Sequence, residues 1–241
     1  MRKKIILTGS NGQLGQSLVV LLIESGYEVI GIDVNHSSDN TLHYSPVFLD
    51  ITDEEAVKIF FDDLAGDALV TGLVNNAGIA VFTPFEKRTY TELKSVLDVN
   101  VIAAIFMTQN FMRVTQNSEH ARRVINIGSI YGEVAPDLTI YGDTPRMSSE
   151  IYGMTKAAII NFTKYLTSYY KGKNVTFNCV SPGGIDSNQG PEFKINYNKK
   201  VPLNRMADVG EIANVIGFLI SDKSSYINGE NIFVDGGLTK W

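Results

Sequence analysis

Short runs of consecutive apolar residues alternate along this chain with longer stretches in which apolar positions recur every three or four residues. Runs of the first kind predict strands buried on both faces, and stretches of the second kind predict amphipathic helices. Strands are predicted at Lys4 to Thr8, Tyr27 to Asp33, Val47 to Asp50, Gly72 to Asn75, Arg123 to Ile127, Val175 to Val180 and Asn231 to Val234. Helices are predicted to start near Gln13, Glu54, Thr91, Tyr152 and Asp208. This alternation is that of an α/β protein, a doubly wound parallel sheet with helices on both faces. Such a sheet binds ligands at the carboxyl ends of its strands, which is where the unusual residues of this chain collect.

The first of these ends is Gly9-Ser10-Asn11-Gly12-Gln13-Leu14-Gly15, a glycine-rich turn opening a helix whose apolar side includes Leu14, Leu18, Leu21 and Leu22. Its spacing, G-x-x-G-x-x-G, differs from G-x-G-x-x-G. The physics is shared: glycines let the backbone approach a pyrophosphate, and the unpaired N–H groups of the helix N-terminus favour an anion. A tight turn with no ligand is the plainer reading of glycines alone. The second strand ends at Asp33, whose carboxylate can accept hydrogen bonds from a ribose diol and repels a 2′-phosphate. None of Val34, Asn35 and His36 is basic, so NAD is expected over NADP.

Tyr152 and Lys156 lie four residues apart on a predicted helix and so share a face. An ammonium beside a phenol favours the phenolate, which makes the pair a candidate general acid/base. A surface ring beside a snorkelling lysine has the same spacing, so the pair gains meaning only from its company.

Composition narrows the classes. With 241 residues, 44% hydrophobic and 20% charged, the chain is long enough for one large domain and shows neither repeats nor low-complexity tracts. A net charge of −5 disfavours nucleic acid and anionic membranes as partners. Ile5-Ile6-Leu7 is too short for a signal core, and no uninterrupted apolar run approaches the roughly 18 residues of a membrane span, so a cytoplasmic protein is expected. The single Cys179 reads as a buried strand thiol, and His36, His43 and His120 show no metal-ligand spacing, so no metal site is expected.

Taken together, Thr8 to Gly15, Asp50-Ile51, Asn75-Asn76-Ala77-Gly78, Asn100, Ser129, Tyr152-x-x-x-Lys156, Ser181-Pro182-Gly183-Gly184-Ile185 and Val234-Asp235-Gly236-Gly237 resemble the short-chain dehydrogenase/reductase family over nearly the whole chain. The resemblance implies a single Rossmann-fold domain over 1–241, a seven-stranded sheet in the order 3-2-1-4-5-6-7, and a nicotinamide cofactor across its carboxyl edge. It also implies a catalytic tetrad of Asn100, Ser129, Tyr152 and Lys156. Tyr152 would exchange the proton on the substrate oxygen, Ser129 would hold that oxygen, Lys156 would lower the phenol pKa and bind ribose hydroxyls, and Asn100 would orient a relay water. Gly9, Ser10, Gln13 and Leu14 would line the diphosphate, Asp33 the adenosine ribose, Asp50 and Ile51 the adenine, and Asn76, Ala77 and Gly78 the middle of the cofactor. Pro182, Gly183 and Ile185 would flank the nicotinamide, with the hydroxyl of Ser187 taking the place of a customary threonine. The predicted helices at Thr91 to Phe111 and Tyr152 to Tyr170 occupy the family's pairing positions, which implies a homodimer or homotetramer.

Two departures stand out. The middle glycine at Gly12 is more typical of the family's extended branch, whereas the length and Asn75-Asn76-Ala77-Gly78 match its compact branch. Ser129 and Tyr152 are 23 residues apart, a longer gap than the compact branch usually has, which marks an insertion at about 131–147. Tethered to Ser129 and Tyr152, this insertion must border the substrate mouth, where Tyr131, Asp137, Tyr141, Asp143 and Arg146 offer polar contacts. The segment at about 187–201, where the family places its substrate lid, is rich in amides and lysines, which suits a hydrophilic ligand better than an acyl chain. The loops after Ser129 and Ser181 are similar to those of flagellin-modification oxidoreductases of the legionaminic-acid pathway. The expected activity is hydride transfer between NAD(H) and a secondary alcohol or ketone of a polar, sugar-derived substrate. A 3-oxoacyl-thioester reductase and a non-catalytic dinucleotide sensor are the alternatives.

Overall fold

Seven parallel strands pair in the order β3-β2-β1-β4-β5-β6-β7, the order the motifs imply. They are β1 (Lys4–Thr8), β2 (Glu28–Asp33), β3 (Tyr44–Phe48), β4 (Val70–Asn75), β5 (Arg122–Ile127), β6 (Val175–Pro182) and β7 (Asn231–Val234). The helices are α1 (Gln13–Glu24), α2 (Glu54–Asp63), α3 (Tyr90–Leu97), α4 (Ala103–Val114), α5 (Glu150–Tyr169), α6 (Pro191–Asn198) and α7 (Val209–Ile220). This computed structural model describes residues 2–35, 41–142 and 147–241. His36, Asp143 and Arg146 lie outside the described residues.

The period-two geometry of a strand divides β1 between two cores. Ile6 faces a cluster with Phe61, Met107, Phe111 and Phe177, under α2, α4 and α5. Ile5 and Leu7 face the opposite side, where Leu18 and Leu22 of α1 meet Ile212 and Ile216 of α7. Each fully buried aliphatic side chain contributes about 1.5–3 kcal/mol, so the sheet is held from both faces. That rigidity is what fixes the strand ends at the site.

The third strand lies three residues earlier than the sequence pattern predicts, at Tyr44–Phe48. It is an edge strand, paired only to β2, with Pro46 opposite Gly31. An edge tolerates a proline because one side of the strand makes no ladder. The exposed Phe48 and polar Ser45 also break the continuous apolar run that identifies the central strands. Asp50 and Ile51 consequently lie in the turn beyond the strand.

Tyr90–Val114 forms one continuous helical segment, long and apolar enough by length and composition to cross a membrane. Its apolar side serves the sheet: Val96, Ala103, Met107, Phe111 and Met112 are buried in the protein. Between α3 and α4 the segment widens into a π turn at Asp98–Ile102. Such bulges insert an extra residue and turn a side chain off the regular face. Here the inserted turn carries Asn100 inward, 3% exposed.

Candidate active site

The glycine turn is built for close approach. Gly9 has φ +65°, and a methyl group on it would come within 2.9 Å of the Ala77 backbone. At Gly15 a methyl group would lie 2.1 Å from the Gly9 carbonyl oxygen, so the first turn of α1 packs directly on the loop. Gly12 caps α1 with no side-chain hydrogen bond, leaving the helix N-terminal N–H groups for an anion. Thr8 Oγ1 accepts from the N–H groups of Asn76 and Ala77, and Asn76 Nδ2 donates to the carbonyls of Thr8 and Gly9. These bonds lock the ends of β1 and β4 together.

Asp33 stands where the second strand ends. Its carboxylate accepts from the N–H groups of Asn11 and Asn35, both at 3.0 Å, which orients it toward the turn. A cavity of about 440 Å³ runs between these elements, lined by Gly9, Gln13, Leu14, Asp33, Ile51, Asn76, Ala77 and Gly78 among others. Two expected members sit elsewhere. Ser10 is buried, its hydroxyl accepting from Tyr44 at 3.3 Å, and Asp50 binds the backbone N–H and hydroxyl of Thr52. Ser10 is set by a contact with the edge strand that the sequence pattern misplaces, and Asp50 by the turn that follows that strand.

The second cavity, about 580 Å³, opens beside the first and shares Gln13, Gly78 and Ile79 with it. Ser129, Tyr152, Pro182 and Gly183 line it. Asn100 and Lys156 are buried just behind: a methyl group on Gly78 would lie 3.4 Å from Asn100 Oδ1 and 3.5 Å from Lys156 Nζ. The four residues singled out from the motifs therefore converge. The Asn100 amide donates to the Ile79 carbonyl and Thr155 Oγ1, while its oxygen accepts from the Ile79 N–H. Lys156 Nζ donates to the Ile127 carbonyl at 2.7 Å and lies 5.6 Å from the Tyr152 ring centre. Ile185 and Ser187 line neither cavity: Ile185 bridges to Ala207, and the Ser187 N–H donates to Gln189 Oε1.

Electrostatics depart from the sequence expectation in one respect. Burial pushes the Tyr152 phenol above its ordinary value, and the opposing influence is a hydrogen bond with Ser129 rather than the charge of Lys156. Burial also brings the Lys156 ammonium down to about 8. Desolvation disfavours the charged form of each group, raising an acid and lowering a base. Burial pushes the Cys179 thiol, fully enclosed in the core, up to about 11, which disfavours the thiolate.

The insertion and the lid form one unit. Asp137 caps a short 3-10 turn, Leu138–Tyr141, and pairs with Lys200 at 2.9 Å. Tyr141 packs on Phe193 of α6 at 5.3 Å between ring centres, and Phe193 stacks on Tyr197. Tyr197 is 3% exposed and its hydroxyl accepts the Gly184 N–H. Lys199 and Lys200 of the lid are thus exposed, while its inner side carries the aromatic Phe193 and Tyr197 together with the amide of Gln189. Phe82, Tyr197 and Met206 are cavity residues that no motif signalled. Pro191 at the first helical position followed by Glu192 was the available sign of α6.

A family model described as enoyl-(acyl carrier protein) reductase matches residues 10–239. A 3-oxoacyl-[acyl-carrier-protein] reductase of Aquifex aeolicus is 30% identical over 97% of this chain and 86% of its own length. The chain is a short-chain dehydrogenase/reductase. As a member of that family it is an oxidoreductase acting on a CH–OH group with a nicotinamide dinucleotide, and not a bare sensor. A short-chain dehydrogenase of Leptospira borgpetersenii, solved with bound NAD+, superposes with a TM-score of 0.93 at 37% identity, covering 99% of this chain and 93% of that one. A gluconate 5-dehydrogenase of Burkholderia cenocepacia, solved with NADP and tartrate, shares the fold at a TM-score of 0.87 and 24% identity, over 99% and 96% of the two chains.

Proposed function

We propose that this reductase uses NAD(H) to interconvert a secondary alcohol and a ketone on a polar, sugar-derived substrate. The observation that carries the reading is the lining of the second cavity. Tyr131, Tyr141, Tyr152 and Tyr197, with Ser129, Ser148 and Gln189, present neutral hydroxyl and amide groups beside aromatic faces, and no charged side chain lines it among the described residues. Neutral donors and acceptors set between aromatic rings suit a polyhydroxylated ligand, whose hydroxyls need partners and whose C–H faces need apolar cover.

The dinucleotide supplies or accepts the hydride when bound. Gly9, Gly12 and the α1 N-terminus fit its diphosphate, and Asp33 fits a ribose diol. No lysine or arginine lines the first cavity among the described residues, which favours NAD over its 2′-phosphorylated form. Tyr152 then holds or releases the proton at the substrate oxygen, Ser129 orients that oxygen, and Lys156 is buried behind the phenol, its ammonium on the Ile127 carbonyl.

A second reading, 3-oxoacyl-thioester reduction, is favoured by the name of the Aquifex relative and by the apolar share of the same lining, Phe82, Ile130, Phe193 and Met206. One comparison separates them: kcat/KM of the purified enzyme for a panel of keto sugars against acetoacetyl-coenzyme A, each with NADH and NADPH. Keto-sugar turnover with NADH supports the proposal. Preferential NADPH-linked reduction of acetoacetyl-coenzyme A overturns it.

A further inference from the structure

The spacing of the glycine turn leaves a side chain, Gln13, at the first position of α1, and that side chain does not point idly into solvent. Its Nε2 donates to the Asp186 carbonyl at 2.6 Å, across the cleft from the other end of the sheet. Gln13 also lines both cavities, so the donor of this bond sits where the dinucleotide cavity and the substrate cavity meet. We propose that Gln13 is a clasp that closes over the middle of the bound dinucleotide and must open for the dinucleotide to enter or leave.

The acceptor is held firmly. The Asp186 N–H donates to the Ala207 carbonyl at 2.9 Å, and Ile185 bridges to Ala207 on the same ladder. Gln189 pins the loop from inside, its amide donating to the Ile185 carbonyl and accepting the Ser187 N–H. Asp186 also pairs through its carboxylate with Lys194 of α6, which ties the clasp to the lid. The donor is equally constrained, because Gln13 opens α1 and α1 packs on the glycine turn. A flexible amide between two fixed walls is the part that must move.

The proposal rests on the dinucleotide reading of the first cavity and goes beyond it by naming what controls exchange. A bond made both before and after binding adds little to affinity, but it slows passage in both directions, as any required opening slows association. Its signature is therefore kinetic.

The test is stopped-flow NADH binding, followed by fluorescence, with wild-type enzyme and with Gln13→Met and Gln13→Ala. Methionine keeps the length of the side chain and lacks the donor. Gln13 is exposed, so both variants should melt with the wild-type protein. The loss of one hydrogen bond predicts that association and dissociation rates both rise, each about three- to tenfold. A rise in dissociation alone, with Kd weakened in proportion, would make Gln13 an ordinary contact and overturn the clasp. Unchanged rates in both variants would do the same. Wild-type protein that binds neither NADH nor NADPH would instead remove the dinucleotide reading itself.

Discussion

At Tyr152 and Lys156 a half-buried phenol and a buried ammonium stand in an environment that disfavours charge on either. The consequence for Lys156 is a pH dependence in an accessible range. Burial brings its ammonium down to about 8, so the charge is present below that pH and lost above it. NADH binding is therefore expected to weaken as pH rises through about 8, and the dependence to vanish in Lys156→Met; fluorescence titration across pH 6.5 to 9.5, roughly the span of that ionisation, reads both. Asp33 carries the second residue-scale prediction. Asp33→Ala removes a carboxylate that would stand beside a 2′-phosphate, and the ratio of NADPH to NADH affinity should rise about tenfold, the order of one screened charge pair. The motif residues were legible in the sequence because their chemistry is tied to strand ends. The sign of the Tyr152 shift was not, because spacing gives proximity and says nothing of desolvation: Lys156 is spent on the Ile127 carbonyl, and burial dominates the phenol.

Among the elements, the turn from β1 into α1 is the least tolerant. Gly15→Ala would place a methyl group on the Gly9 carbonyl, and an overpacked contact of that kind costs about 1–3 kcal/mol. A melting temperature lowered by several degrees, together with weaker NADH binding, is expected, and an unchanged protein would contradict the packing described. The turn, its helix and the central strands could be read from apolar runs and glycines. The lid could not. Its polar composition described the outer face of α6, while Phe193 and Tyr197 point inward onto Tyr141 of the insertion. Only the fold brings 138–141 beneath 191–198, since the segments are far apart in sequence. Asn100 was similarly findable as a motif residue, but the π turn that buries it leaves no simple periodic signal.

For the whole molecule, the order of the sheet is the one that the resemblance to the short-chain dehydrogenase/reductase family implied. Assembly is a proposal: Leu97, Ile102, Met154, Tyr165 and Tyr169 are exposed along α3 to α5, an apolar surface suited to a second copy of the chain. Light scattering at micromolar concentration should give a dimer or tetramer, and a monomer would remove that assignment. The central claim is that Tyr152 moves the proton while the sheet's carboxyl edge presents the hydride. Single-turnover NADH oxidation by wild-type and Tyr152→Phe enzyme, with the best ketone from the substrate panel, tests it most directly. The account predicts a rate lower by about 10²- to 10⁴-fold in Tyr152→Phe with NADH affinity unchanged; a variant that transfers hydride at the wild-type rate would contradict it.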